Sequence, residues 1–115
     1  MNGIRGVVLL PDSWSLPSGL TFTAASKNYS TNVYTIAQWT KMENAGAVFL
    51  PAAGYRDGTS MGIMDACGLY WSSTYYSSNS AYRVYFYSGD LSPSNSNGHR
   101  YIGHSVRLCS EISSK

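Results

Sequence analysis

Charged residues are scarce in this chain. Lys, Arg, Asp and Glu make up 12% of its 115 residues, against roughly a quarter in an average domain. The net charge is only +2, and the basic residues form no stripe along the sequence. A protein that binds a polyanion usually carries a concentrated basic surface. We therefore expect that nucleic acid is not its main partner.

Long hydrophobic runs are missing as well. No apolar stretch approaches the roughly 20 residues that a transmembrane helix needs, and the run at residues 7–10 is too short and poorly flanked for a signal peptide. The sequence predicts no membrane span. An export signal, if the protein is exported, is expected to lie outside this chain.

Cysteine and metal-ligand patterns are sparse. Cys67 and Cys109 lack zinc-site spacing, and the sequence leaves open whether they form a disulfide or are two separate buried thiols. His99 and His104 have no third ligand near them in the sequence. The carboxylates are too dispersed for a calcium loop, and no phosphate-binding glycine fingerprint is present. We expect no metal and no other cofactor.

One short segment matches an enzyme motif. Residues 58–62 read Gly-Thr-Ser-Met-Gly, the G-x-S-x-G pattern in which Ser60 would be a hydrolase nucleophile. That nucleophile requires a strand, a turn and a helix within a large parallel sheet, and a chain of this length with one convincing helix does not provide them. We expect a glycine-rich loop and no enzyme, with hydrolysis at Ser60 as the less favoured alternative.

Tyrosine, serine, asparagine and glycine are abundant, and they are concentrated in the second half. These four types account for 21 of the first 69 residues but for 23 of the 36 residues from Tyr70 to Ser105. The length is that of one domain. We therefore expect a single domain, residues 1–115, with an apolar scaffold at residues 1–69 and a polar surface region at residues 70–108.

The clearest helix signal lies in the scaffold half. Thr35 and Gln38 have the spacing of a capping box, and Gly46 provides a left-handed stop. An apolar residue recurs every three positions and predicts one buried face: Ile36, Trp39 and Met42. Flanking patterns predict a strand at residues 4–10, a buried strand at residues 47–50 and a long loop at residues 54–68.

The most informative strand pattern covers residues 82–87. Alternate residues of a strand point to opposite faces. One face suits a core and consists of Tyr82, Val84 and Phe86. The other is a row of large amphipathic side chains that we expect to face outward: Arg83, Tyr85 and Tyr87.

Other strands are predicted on both sides of this one. Residues 69–74 read as a strand before it, and residues 91–98 read as a loop or an edge strand after it. Residues 105–109 predict a closing strand with Val106 and either Leu108 or Cys109 facing the core.

The composition of the second half is typical of antibody combining sites. There, Tyr provides a large contact area at low entropic cost, and Ser, Gly and Asn provide adaptable hydrogen bonds. Residues 75–79 and 95–97 are the densest parts. Ordinary solvated turns are the alternative, since Ser and Asn favour turns. Because solvated loops seldom carry so many tyrosines, we favour a binding surface.

Four segments resemble a known family in the same order along the chain: LPAAGYR at 50–56, GLYWSST at 68–74, AYRVYF at 81–86 and GHSVRL at 103–108. The family consists of surface proteins of gut bacteria and their phages. These proteins have a C-type-lectin fold of the formylglycine-generating-enzyme subtype and include the variable proteins of diversity-generating retroelements. The resemblance extends back through residues 9–12 and 34–46, and so covers nearly the whole chain.

The resemblance implies an α+β, C-type-lectin-like fold with small mixed or antiparallel sheets, one or two helices and long irregular loops. It also implies a ligand-binding surface diversified by mutagenesis of template adenines, which turns Asn-type codons into codons for Tyr, Ser, His, Arg and others. The positions that fit are Tyr75, Tyr76, Ser77, Ser78, Asn79, Arg83, Tyr85, Tyr87, Asn95, Asn97, His99, Arg100 and His104. Trp71, Val84, Phe86, Val106 and Leu108 would be fixed scaffold.

The implied function is ligand binding by a display domain on a cell surface, outside the cell or on a phage particle. Its ligand would be a protein or glycan on another cell or phage surface. A structural module of a larger surface protein is the alternative. The cysteines do not match the closely spaced redox pair of the enzyme branch, so no formylglycine-generating activity is expected. Lectin calcium motifs are also missing, which argues against calcium-dependent sugar binding.

Overall fold

The computed structural model describes residues 3–109, and for Asn97 the backbone alone. Within this range the chain is a small α+β domain with one helix and several short antiparallel sheets. The elements follow in the order β1 (Gly6–Leu9), α1 (Ile36–Asn44), β2 (Val48–Pro51), β3 (Tyr55–Asp57), β4 (Ser60–Gly62), β5 (Cys67–Tyr75), β6 (Ser80–Tyr87), β7 (Asp90–His99) and β8 (Ile102–Gly103).

These strands form three sheets. β1 pairs with β2, β3 lies between β4 and β8, and β6 lies between β5 and β7. Every pairing of these strands is antiparallel. The three-stranded sheet β5-β6-β7 contains almost all of the Tyr-rich segment, so the biased composition belongs mainly to one sheet and its turns.

The capping box predicted for the helix is confirmed. The Thr35 hydroxyl accepts a hydrogen bond from the Gln38 backbone N–H at 3.3 Å, and the Gln38 side-chain oxygen accepts one from the Thr35 N–H at 2.9 Å. Gly46 follows the end of the helix with φ +101°, as a left-handed stop requires.

One position on the predicted buried face of the helix is wrong. Trp39 and Met42 are buried, but Ile36 is 63% exposed. Residues three apart fall about 60° short of a full turn of an α-helix, so Ile36 lies roughly 120° around the axis from Met42. The core reaches only the last two members of the series.

The β1-β2 pair lies between the helix and the three-stranded sheet. Val8 and Phe49 pack with the helix in one hydrophobic cluster. Val7 and Leu50, their neighbours in sequence, pack in a second cluster with Phe86 of β6. Because alternate side chains of β1 and β2 pack in the two clusters, this small sheet makes core contacts on both sides.

Two predictions about loops and strands are wrong. Residues 54–68 contain the β3-β4 hairpin, whose turn includes Gly58 at φ +59°. Residues 105–109 do not form a closing strand, since only Ser105 makes a bridge, to Tyr70 of β5. Val106 is 65% exposed and Leu108 is 87% exposed. Apolar side chains had predicted a strand there, but no neighbouring strand pairs with them.

The two cysteines are free thiols in the structure. Cys67 is buried and Cys109 is exposed. Burial raises the pKa of the Cys67 thiol, and the nearby charge of Arg83 partly opposes this shift. Among the described residues, no helix has both the length and the apolar character that a membrane crossing requires.

Candidate functional site

The candidate site lies on the face of β5-β6-β7 opposite the Phe86 side chain, which we call the outer face. Cys67 and Leu69 of β5 lie on this face and are buried, and its other side chains are partly exposed. Val84 and Phe86 pack into the core from β6, so the alternation of the strand sends Arg83, Tyr85 and Tyr87 to the other side. Phe86 is 2% exposed and the adjacent Tyr87 is 42% exposed. The two faces predicted for this strand are therefore confirmed at these positions.

Arg83 lies at the centre of the outer face. Its register partners are Trp71 on β5 and Asn95 on β7. The Arg83 Nε–H donates to the Asn95 side-chain oxygen at 3.0 Å, and its Nη1 lies 3.3 Å from Nε2 of His104. The guanidinium carbon is 5.2 Å from the centre of the Tyr85 ring. Three side chains, from β6, β7 and the segment after β8, thus meet around one guanidinium group.

His104 reaches this cluster because the following residue is fixed to β5. The Ser105 N–H donates to the Leu69 carbonyl at 2.9 Å, and the Trp71 N–H donates to the Ser105 carbonyl at 3.2 Å. The imidazole then stacks on the Trp71 ring with centroids 4.0 Å apart and planes inclined by 22°.

The protonation state of His104 follows from its partners. A guanidinium only donates, so Nε2 accepts from Arg83 and the imidazole proton lies on Nδ1. Burial lowers the pKa of His104, the Gly103 backbone partly opposes this shift, and the positive charge of Arg83 adds to the lowering. The imidazole is therefore neutral at neutral pH, and Arg83 provides the positive charge of the cluster.

Gly98 of β7 makes room for the Trp71 ring. A Cβ at position 98 would lie 2.7 Å from the Ala81 carbonyl oxygen, 2.7 Å from Cζ3 of Trp71 and 3.2 Å from Cδ of Arg83. Distances below 3 Å cannot be accommodated without movement of a neighbour. Glycine at this position therefore allows the indole to lie against the backbone of the sheet.

Two tyrosines extend the cluster along β6. The rings of Tyr85 and Tyr87 are 5.5 Å apart. Burial raises the pKa of Tyr85, and interactions with Tyr87 and Cys67 raise it further. Tyr85 is therefore neutral and half-buried, with its ring between Arg83 and the more exposed Tyr87.

The second group of predicted residues lies at one end of the sheet, which we call the rim: residues 75–79 and 99–101. The Arg100 N–H donates to the Asn79 carbonyl at 2.9 Å. Its guanidinium donates to the Ser77 carbonyl at 2.9 and 3.2 Å and lies 5.5 Å from the centre of the Tyr75 ring. Arg100 thereby connects the β5-β6 turn to the end of β7.

Hydrogen bonds and ring contacts order the rest of the rim. The Ser77 hydroxyl donates to the Asn79 side-chain oxygen at 3.0 Å. Tyr76 meets Tyr82 edge-on at 5.3 Å, so Tyr82 contacts the rim although its strand position predicted a core role. His99 stacks on Tyr101 at 5.4 Å, outside the Arg83 cluster. Ser78 is exposed in the turn.

A shallow depression of about 320 Å³ joins the rim to the outer face, and Trp71, Ser72, Ala81 and Arg100 line it. A more enclosed cavity of about 260 Å³ lies elsewhere, between β1 and the segment that leads to the helix. Scaffold residues line most of that cavity, and Tyr87 is the one predicted site residue in its wall.

The structure divides twelve of the thirteen predicted residues into two adjoining sets. The outer face contains Arg83, Tyr85, Tyr87, Asn95 and His104. The rim contains Tyr75, Tyr76, Ser77, Ser78, Asn79, His99 and Arg100. Asn97 belongs to β7, and its side chain lies outside the described atoms.

Trp71 was missed as a member of the site. The family resemblance implied that Trp71 is fixed scaffold, yet its ring forms one wall of the depression and stacks on His104. Alternation along β5 would have placed residue 71 on one face with residues 67 and 69, but it could not show which strand lay beside it.

The G-x-S-x-G motif lies in a β-hairpin and not in the strand–turn–helix arrangement that a hydrolase nucleophile needs. Ser60 begins β4 directly after the hairpin turn and is exposed. A strand–turn–helix arrangement is not present at this position. Within residues 3–109, no group of three or more His, Cys, Asp or Glu side chains could hold a metal ion.

The fold and site together define a small α+β domain with a Tyr- and Arg-bearing sheet face. The model of a domain family of unknown function, DUF8237, matches residues 21–109. The chain belongs to this family. The match covers the helix, the three-stranded sheet and every residue of the outer face and rim. No curated protein and no solved structure matches the chain.

Proposed function

We propose that this chain is a ligand-binding display domain and that the outer face with its rim is the binding surface. The observation that carries the proposal is the cluster around Arg83, where the partly exposed side chains of Trp71, Tyr85 and His104 meet on the side of the sheet opposite Phe86. Trp, Tyr and Arg are the residues most enriched among those that dominate binding energy. Their shared placement here favours recognition over a purely structural role.

The different contacts made by the two faces of β6 also support this proposal. Phe86 belongs to a core cluster, whereas Arg83 and Tyr85 make their ring and side-chain contacts with other members of the outer face. Exchange of outer-face side chains would therefore leave the main core contacts intact. A scaffold of this kind suits a surface that varies between relatives.

We further propose that the domain is C-type-lectin-like, of the formylglycine-generating-enzyme subtype, and the variable protein of a diversity-generating retroelement. It would act on a cell surface or phage particle and bind a protein or glycan on another cell or phage. The four sequence segments that resemble this family and the placement of the predicted variable positions support the proposal.

A genomic observation tests the retroelement. We expect a near-identical copy of the DNA encoding residues 70–108, close to a reverse transcriptase gene, with differences confined to adenines of the copy. The changed codons should fall at outer-face and rim positions such as Tyr85 and Asn95. If no such copy exists near the gene, or if its differences fall on core codons such as that of Phe86, this part of the proposal is wrong.

Mutation of two tyrosines tests the binding surface. Short random peptides displayed on phage and an immobilised glycan array serve as probes. Ligands selected by the wild-type domain should bind a Tyr85→Ala, Tyr87→Ala variant at least about tenfold more weakly, because rigid aromatic contacts are lost. Because Tyr85 is half-buried and Tyr87 is exposed, the free energy of unfolding should fall by no more than about 2 kcal/mol, which is less than the loss expected for a core aromatic residue.

Val33→Ala with Ile36→Ala is the matched control. These apolar side chains are 67% and 63% exposed and lie at the helix, outside the proposed surface. The control should keep wild-type affinity for the selected ligands. Equal losses in both double variants, or a large loss of stability on removing the tyrosines, would show that the outer face is not a dedicated binding surface.

A further inference from the structure

The charges of the outer face and rim are of one sign. Residues 67–109 contain three arginines and a single acidic residue, Asp90. The Asp90 carboxylate lies 3.8 Å from the Lys27 ammonium group, and Asp90 pairs with Tyr87 at the far end of β6. Tyr87 follows Arg83 by four residue steps along β6, a distance of roughly 13 Å. The acidic residue of the sheet is thus distant from its central cation and occupied by another base.

Arg83 carries its charge in a half-buried position. Burial lowers the pKa of its guanidinium, which means that the surroundings disfavour the charged form. Its hydrogen-bond partners are the amide oxygen of Asn95 and the imidazole of His104, and both are neutral. Within residues 3–109 no carboxylate forms an ion pair with it. Charges removed from water are normally compensated by an opposite charge.

The same contacts hold the guanidinium in a fixed orientation. Nε and Nη1 each make one hydrogen bond, and the ring of Tyr85 lies beside the group at 5.2 Å. A guanidinium has five N–H donors arranged as a planar fork, so donors remain for a further partner. An oriented fork matches the two oxygens of a carboxylate.

We propose that the outer face binds an acidic protein segment, with one of its carboxylates held by Arg83 next to Tyr85 and Trp71. This inference rests on the proposed function and adds the chemistry of the ligand. Charge complementarity provides the anionic group. A protein partner is favoured because the surface is broad and shallow and combines Trp, Tyr and Arg, the anchor types of protein interfaces.

The rim gives such a segment a second contact. Arg100 lies beside the ring of Tyr75 and lines the depression together with Trp71. The adjoining tyrosines are well exposed, Tyr75 by 69% and Tyr76 by 50%. An acidic segment with aromatic or aliphatic neighbours can therefore extend from the Arg83 cluster across the depression to Arg100.

Selection from a phage library of short random peptides tests the inference. Peptides enriched on the wild-type domain should contain an excess of Asp and Glu over the unselected library. The corresponding synthetic peptides should bind Arg83→Gln and Arg83→Met variants at least about tenfold more weakly, the loss expected for a charge-assisted hydrogen-bond pair. Replacing the acidic residue of the peptide by its amide should produce the same loss, with no additional loss when both changes are combined.

The control is Arg56→Gln, the same substitution at an exposed arginine of β3 whose Nε–H donates to the Gly58 carbonyl. It should leave the affinity unchanged. Arg83→Met keeps the apolar stem of the side chain, so unchanged melting temperatures for this variant separate loss of charge from loss of packing.

The outcomes distinguish this inference from the proposed function. Enriched peptides without an acidic excess, or an acidic excess that persists with Arg83→Gln, would overturn the inference and leave the binding surface standing. No enrichment of peptides and no glycan bound would overturn both. Polygalacturonate, a glycan that carries carboxylates, serves as the acidic non-protein probe. If it binds and no peptide is enriched, the binding surface is retained but the acidic protein partner is ruled out.

Discussion

Replacing Phe86 with alanine should lower the free energy of unfolding by about 3–5 kcal/mol. The Phe86 side chain is 2% exposed and its ring lies parallel to that of Tyr70 with centroids 6.4 Å apart. The ring also covers Gly68 so closely that a Cβ there would collide with it. Removal of the ring leaves a cavity at the centre of the second core cluster. The expected loss is large, because the total free energy of unfolding of a domain is only about 5–15 kcal/mol.

Tyr87→Ala is the matched control for this experiment, since it removes an aromatic ring from the next residue of the same strand. Tyr87 is 42% exposed, so its loss should change stability by no more than about 1 kcal/mol. Urea unfolding followed by tryptophan fluorescence gives both values. If Phe86→Ala and Tyr87→Ala lowered the free energy of unfolding by similar amounts, Tyr87 would be buried like Phe86, and its assignment to the outer face would be wrong.

The parts of the fold that could be predicted depend on contacts between near neighbours in sequence. The capping box at Thr35 and Gln38 needs only a spacing of three residues. The two faces of β6 at Phe86 and Tyr87 follow from alternation alone. Adjacent residues of a strand point to opposite sides, and the more apolar of the two is expected to face the core. In both cases the physics acts within one element, and the sequence of that element is sufficient.

Predictions failed where pairing between distant segments decides the outcome. Glycines interrupt every pattern in residues 54–68 and so predict a loop, yet two three-residue strands pair across Gly58. Val106 and Leu108 resembled a strand, but Ser105 alone makes a bridge to β5. An apolar residue is buried only if a partner covers it, and a single sequence does not show the partner.

The candidate site lies between these two cases. Alternation identified Arg83 and Tyr85, but nothing local indicated that Trp71 and His104 would stack. They are 33 positions apart, and their contact depends on the hydrogen bonds of Ser105 to β5. Composition could therefore locate a surface, whereas its central cluster required the tertiary structure. The register of the strands therefore determines which side chains meet in the site.

Gly98→Ala should disrupt the site without unfolding the domain. The new Cβ would lie 2.7 Å from both the Ala81 carbonyl oxygen of β6 and Cζ3 of Trp71, so the pairing of β7 with β6 must adjust locally and the indole must move. Its stacking on His104 at 4.0 Å would be lost, and Arg83 would shift because its Cδ lies 3.2 Å from the same Cβ. Overpacking of this kind destabilises by about 1–3 kcal/mol, which is less than the expected loss for Phe86→Ala.

Binding should suffer more than stability. Because the substitution displaces three proposed contact residues together, peptides selected by the wild-type domain should bind Gly98→Ala about a hundredfold more weakly, equivalent to about 2.7 kcal/mol. The indole N–H resonance of Trp71, assigned with a Trp71→Phe variant, should shift strongly. Ser94→Ala, at an exposed position of the same strand, should change neither the resonance nor the affinity. An unshifted resonance with full affinity in Gly98→Ala would show that the indole does not lie against β7 and that binding does not depend on the Trp71 cluster.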